Sequence, residues 1–231
     1  MSKDLSELEI KLNQTFQNQD FLLQALTHRS YLNENPSFRL GHNERLEFLG
    51  DAVLELIVTE ALYERFPEKP EGEMTSYRAA LVNADMLATV ATDLGINEFL
   101  RLSRGEAKDT GRARQYILAN TFEAVVGALY LDSGYDAVKR FIHAMVLPHL
   151  DDVLARNLYK DPKSLFQEEA QERVGITPTY NVLRESGPDH DKRFVVGVFL
   201  NDELIAEGEG PSKQVAQEEA ARNGLTQKGW E

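Results

Sequence analysis

The chain has 231 residues, 42% of them hydrophobic, and a formal net charge of -13, which suits two domains of ordinary size and excludes a fibrous or disordered class. It contains no cysteine, so disulfides and thiolate zinc sites are excluded, and no apolar run reaches the roughly 18 residues that a membrane span needs. The opening MSKDLSELEIKLNQTF lacks the basic start and apolar run of a signal peptide, so a cytoplasmic protein with no membrane partner is expected. Residues 160–231 carry nine Lys or Arg against fourteen Asp or Glu, and the remainder is acidic as well. Contact with a polyanion would therefore rest on local cations or metal ions and depend strongly on salt.

Residues 5–16 and 20–27 show helical spacing of Leu5, Leu8, Leu12 and Phe16, then of Phe21, Leu22, Ala25 and Leu26. His28 and Tyr31 read as packing or hydrogen-bonding residues. The polar stretch NENPSFRLGHN reads as a loop ending at Asn43, a side chain suited to capping the helix that follows. That helix opens with NERLEFLGDAVL, residues 43–54, which places Glu44, Glu47 and Asp51 on one face at about 100° per residue. Leu46, Leu49, Val53 and Ile57 form the opposite stripe, and Phe48 and Leu54 flank the acidic row, so the helix is expected to be mostly buried. An acidic row alone is commonly a solvated face. Here like charges one turn apart cost about 0.2–0.5 kcal/mol per pair, and their burial costs more, so a cation is expected beside them. The mid-helix Gly50 costs roughly 1 kcal/mol against Ala and points to a neighbour that needs the space.

This helix is expected to end near Phe66. After the loop PEKPEGE come one helix around MTSYRAALVNADML and an amphipathic stretch, LATVATDLGINEFL, stopped at Gly95. Arg78 reads equally as an orienting group, a phosphate contact or a salt-bridge partner. The loop 101–114 carries Arg101, Arg104, Lys108, Arg112 and Arg114, mixed with Glu106 and Asp109, and is a candidate phosphate contact as much as a solvated loop. A second long helix, ILANTFEAVVGALYLD, puts Asn120 and Glu123 on one face, with Ala119, Ala124, Gly127 and Ala128 small enough for close backbone approach. If the two helices pack, Glu47, Asp51, Glu123 and the Asn120 side-chain carbonyl converge. Hard oxygen donors from separate segments suit Mg²⁺. A last helix is interrupted at Pro148, and His143 and His149 lack a third histidine at ligand spacing. Beyond a polar linker at 156–162 the pattern becomes αβββα: a helix at Ser164–Val174, strands near 179–185, 192–200 and 203–207, and a helix at 212–227. Phe194, Val196, Val198 and Leu200 alternate on one face of the middle strand. The fold class is thus an all-α domain over residues 1–155 followed by a small α+β domain over 163–231.

NERLEFLGD resembles the signature of the bacterial ribonuclease III family. TFEAVVGALYLD, LTHRSY and GEMTSYRAALVN are similar to further segments of that family, and GPDHDKRF with GEGPSKQVAQEEAA resembles its double-stranded-RNA-binding domain. The resemblance covers nearly the whole chain. It implies a homodimeric, Mg²⁺-dependent endonuclease of double-stranded RNA, with Mn²⁺ a possible substitute. It also implies 5′-phosphate and 3′-hydroxyl products and a place in processing structured precursor rRNA and mRNA. By the same resemblance Glu47, Asp51, Asn120 and Glu123 hold the metal, Asp51 and Glu123 are catalytic, and Glu44 is a further acidic position. Gln167, Glu168 and His190 would enter RNA minor grooves, Lys213 would meet phosphates, and Phe48 would insert into the partner subunit. The position of Asn120 is commonly Asp in the family, and Gln214 and Gln217 stand where bases are frequent. The alternative is therefore a non-catalytic double-stranded-RNA-binding protein whose site is weakened by Asn120.

Overall fold

The computed structural model describes residues 4–188 and 192–230. The chain divides into two compact units, Met1–Leu154 and Ala155–Glu231.

The first unit is helical: α1 (Leu5–Leu12), α2 (Gln19–Ala25), α3 (Arg29–Glu34), α4 (Glu44–Arg65), α5 (Glu71–Val82), α6 (Ala84–Asp93), α7 (Arg112–Ser133), α8 (Tyr135–Met145) and α9 (Leu150–Ala155). Two of these helices, α4 and α7, are 22 residues long and pack on each other through the middle of the unit. Leu54, Ile57, Val58 and Leu62 of α4 are buried, as are Phe122, Val125, Val126 and Leu129 of α7, and Phe122 stacks on Phe141 of α8 at 5.9 Å between centroids.

Three local expectations need correction. The first helix stops at Leu12, not Phe16, because Asn13 takes the left-handed conformation (φ 51°). The buried Glu9 carboxylate then holds the following turn, accepting from the Phe16 N–H at 2.7 Å and from Gln19 Nε2 at 2.9 Å. The single helix expected around residues 74–87 is two, broken at Asn83. Its Oδ1 caps α6 by accepting from the Met86 N–H at 2.9 Å, while its Nδ2 donates to the Ala80 carbonyl at 3.0 Å. Asn43 does not cap α4 with its side chain. It is buried instead, with Nδ2 on the Ala25 carbonyl at 3.1 Å and its N–H on the Thr27 carbonyl at 2.9 Å, which fastens the start of α4 to the end of α2.

The second unit is the expected αβββα: α10 (Pro162–Val174), β1 (Thr179–Ser186), β2 (Arg193–Leu200), β3 (Glu203–Gly210) and α11 (Lys213–Lys228). The sheet is antiparallel in the order β1-β2-β3. Val196, Val198 and Leu200 are buried, as their alternation predicts, and Val198 and Leu200 join Phe166, Ala170, Ala220, Ala221, Leu225 and Trp230 in the core. Asp161 and Ser212 cap α10 and α11, accepting from the N–H groups of Ser164 and Val215. Among the described residues, no helix is long and apolar enough to cross a membrane.

Candidate active site

The acidic site exists because two glycines let α4 and α7 touch backbone to backbone. A Cβ on Gly50 would stand 2.7 Å from the Glu123 carbonyl carbon and 2.8 Å from the Gly127 nitrogen, and a Cβ on Gly127 would stand 3.1 Å from the Gly50 nitrogen. The neighbour inferred from Gly50 is therefore α7 at Glu123. This crossing brings Glu123 beside the carboxylates one turn before and one residue after Gly50. Burial pushes the Glu123 carboxyl up to about 7, assisted by the charges of Asp51, Glu47 and Glu55. Glu47 is raised too, by burial first and then by Glu44 and Asp51. Glu55 was missed as a member of this group, although it continues the four-residue spacing from Glu47 through Asp51.

Of the predicted row, Glu44 has a cationic side chain beside it, Arg29, whereas Glu47 and Asp51 have none among the described residues. Among the described residues, the carboxylates of Glu47, Asp51, Glu55 and Glu123 have no hydrogen bond or ion pair, and no three acidic or histidine side chains already form a metal-holding group. Hard oxygen donors that repel one another and lack a protein partner fit a divalent cation. Asn120 is exposed, one turn before Glu123 on α7. Glu44 stands differently, at 3.7 Å from Arg29 Nη1 and 3.7 Å from His42 Nδ1.

A carboxyl raised in the folded state binds its proton more tightly there than in the unfolded chain. Its stabilising contribution is present below its ordinary pKa of 4.5 and lost as pH rises through about 7. In EDTA, the wild type should therefore lose stability relative to Glu123→Gln between about pH 5 and pH 8. Urea denaturation of both proteins across that range checks the sign; parallel pH profiles would contradict it.

Other expected residues fall in varied surroundings. Phe48, expected to help bury the helix, is 81% exposed. Arg78 donates to Thr59 Oγ1 at 2.9 Å. Of the loop cations, Arg114 donates to the Glu106 and Asp109 carbonyls and Arg101 lies over Tyr31 and Phe38, so both hold the protein together; Arg104, Lys108 and Arg112 are exposed. In the second unit Gln167 and Glu168 are exposed on α10, with Glu168 at 3.4 Å from Lys160. Lys213 opens α11 and lies over the Phe194 ring at 5.6 Å. Gln217, on the same helix, accepts from Lys163 Nζ at 2.8 Å. His190 lies outside the described residues.

Residues 18–150 match the family model described as ribonuclease-III-like, and residues 162–228 match the double-stranded RNA binding motif. The chain belongs to the ribonuclease III family. A protein named Ribonuclease 3 from Desulforamulus reducens is 44% identical over 218 residues, covering 94% of this chain and 89% of its own length. Its counterpart from Nitratiruptor sp. is 43% identical over 223 residues, covering 96% of each. The nuclease domain of ribonuclease III from Campylobacter jejuni, solved in a study of flexibility in a region involved in its dimer formation, matches with a TM-score of 0.57 and 35% identity. That match covers 63% of this chain and 97% of that one. The protein is thus a ribonuclease III-type endoribonuclease, with a helical nuclease domain followed by a double-stranded-RNA-binding domain.

Proposed function

We infer that this ribonuclease III hydrolyses phosphodiester bonds in double-stranded RNA with a divalent cation, Mg²⁺ or in its place Mn²⁺, held by Glu47, Asp51 and Glu123. The observation that carries this reading is the convergence of unpartnered carboxylates at the Gly50–Gly127 crossing, with Glu123 raised to about 7. When bound, such an ion supplies positive charge at the scissile phosphate and lowers the pKa of a water. The chain's own part is to carry three carboxylates on two closely packed helices, from which their side chains would turn onto the ion. Asp51 and Glu123 orient the attacking water against the phosphate, and products carry 5′-phosphate and 3′-hydroxyl ends. No protein nucleophile is needed. The boundaries 1–155, 156–162 and 163–231 assign this chemistry to the first domain and duplex binding to the last. There Gln167, Glu168 and His190 reach successive minor grooves and Lys213 meets the phosphates between them, since the major groove of A-form RNA is too narrow to read. Structured precursor rRNA and mRNA in the cytoplasm are the proposed substrates.

Asn120 keeps an amide oxygen for the ion or its water but brings no charge. At an effective dielectric near 20, a unit charge about 4 Å from a divalent ion is worth several kcal/mol before desolvation, which outweighs the relief of repulsion among the carboxylates. The wild type should therefore need more Mg²⁺ than Asn120→Asp for half-maximal duplex cleavage, by roughly tenfold. A Mg²⁺ titration of both proteins is the test. Equal requirements would remove Asn120 from the metal's influence, and cleavage by the variant alone would favour an RNA-binding protein without catalysis.

The active form is proposed to be a homodimer. Phe48, Leu56 and Tyr63 of α4 are 81%, 57% and 73% exposed at spacings of eight and seven residues, which line one side of the helix. An apolar row of this kind is costly to leave in water and suits a second copy. Phe48→Arg should shift the solution mass from two chains to one at micromolar concentration, read by light scattering. A variant that stays dimeric would remove Phe48 from the interface.

A further inference from the structure

Glu44 shares the acidic face by sequence, yet its surroundings differ from those of Glu47, Asp51 and Glu123. One carboxylate oxygen faces Arg29 Nη1 at 3.7 Å and the other faces His42 Nδ1 at 3.7 Å. The His42 Nδ1 is shielded from solvent and makes no hydrogen bond, so Glu44 is the acceptor it faces. The backbone around it is fixed: Gln24 Nε2 donates to the His42 carbonyl at 3.2 Å, and the buried Asn43 is tied to Ala25 and Thr27. Arg29 is held from its other side, because His28 caps α3 and its N–H donates to the Arg101 carbonyl at 3.1 Å. The guanidinium itself is 72% exposed.

Phosphate approaching Glu47, Asp51, Glu55 and Glu123 meets carboxylates first, and an exposed guanidinium beside Glu44, the residue one helical turn before Glu47, offsets that repulsion. A single pair at 3.7 Å leaves most of the guanidinium's five donors open, in a fork that matches two phosphate oxygens. We propose that Arg29 contacts an RNA phosphate at the edge of the acidic row, and that Glu44 is a positioning residue, steadied by His42, that aims Arg29 and does not ligate the metal. The proposal rests on the reading of Glu47, Asp51 and Glu123 as the metal's holders. An exposed pair this long adds little to stability, so a merely structural role would leave kinetics unmoved.

The test measures kcat and KM on a defined RNA duplex over a range of salt for the wild type, Arg29→Ala, Arg29→Lys, Glu44→Gln and the double variant R29A/E44Q. Mn²⁺ binding to each protein without RNA is followed by electron paramagnetic resonance. Arg29→Ala should raise KM about tenfold, lower the salt slope by about one and change kcat little. Arg29→Lys should recover the slope and part of the affinity. Glu44→Gln should raise KM less than Arg29→Ala, the double variant should be no worse than Arg29→Ala, and all should bind Mn²⁺ as the wild type does. Unchanged KM and slope in Arg29→Ala would overturn the phosphate contact, and weakened Mn²⁺ binding in Glu44→Gln would make Glu44 a ligand and overturn the positioning role. A wild type that binds no Mn²⁺, with the KM and slope effects intact, would defeat the metal reading and leave the phosphate contact standing.

Discussion

Glu123→Gln will reduce cleavage of an RNA duplex by roughly a thousandfold or more while leaving duplex binding within about twofold of the wild type. The side chain keeps its size, and Glu123 has no hydrogen-bond or ion-pair partner among the described residues that the amide would lose. What disappears is a charge placed against the Asp51 and Glu47 carboxylates, the charges that help hold the Glu123 carboxyl near 7. Binding survives because the double-stranded RNA binding motif occupies residues 162–228, in the other compact unit. The variant should also bind Mn²⁺ more weakly in the absence of RNA. Single-turnover cleavage and a filter-binding isotherm separate the two effects, and full activity of the variant in Mg²⁺ would remove Glu123 from the site.

The second large effect is structural. Gly127→Ala should destabilise the first domain by about 3 kcal/mol or more, since the added methyl meets the Leu46 carbonyl and the Gly50 nitrogen, which are backbone atoms inside a rigid helix pair. Gly50→Ala should do the same through the Glu123 carbonyl and the Gly127 nitrogen. Relief requires the helices to separate, and that would also spread Glu47 and Asp51 from Glu123. Melting temperature should fall by roughly 10 °C, and residual activity should need more metal. Urea denaturation measures the first part. A loss below about 0.5 kcal/mol in both variants would mean that α4 and α7 do not meet as closely as their glycines indicate.

The glycines show how far the sequence could be read. Gly50 and the small residues of α7 foretold a close helix crossing because a mid-helix glycine has a cost that only a neighbour explains, and the crossing is where they put it. The αβββα pattern was legible for a similar reason, since the alternation through Val196, Val198 and Leu200 has one folded solution. Less visible were features set by partners distant in sequence. Asn43 carries the right side chain for a cap, but the Ala25 carbonyl claims its Nδ2 while the Thr27 carbonyl accepts from its N–H. Asn83 was missed for another reason: its two hydrogen bonds, to Ala80 and Met86, are local, but the apolar spacing runs on through it and hides the break. Phe48 sits beside buried leucines in sequence and is nonetheless exposed, because its direction around α4 depends on where α7 lies. Glu55 followed the spacing rule that revealed Glu47 and Asp51, but lay outside the stretch that drew attention to them.

The carboxylates gathered where α4 meets α7 are expected to cut double-stranded RNA only when a divalent cation joins them. The most direct measurement is incubation of a long, uniform RNA duplex with the wild-type protein in Mg²⁺ and, in parallel, in EDTA, followed by analysis of fragment length and ends. Short duplex fragments with 5′-phosphate and 3′-hydroxyl ends are expected in Mg²⁺, and an intact duplex that is still bound in EDTA. Cleavage that persists undiminished in EDTA, or none in Mg²⁺ or Mn²⁺ at any concentration, would contradict it.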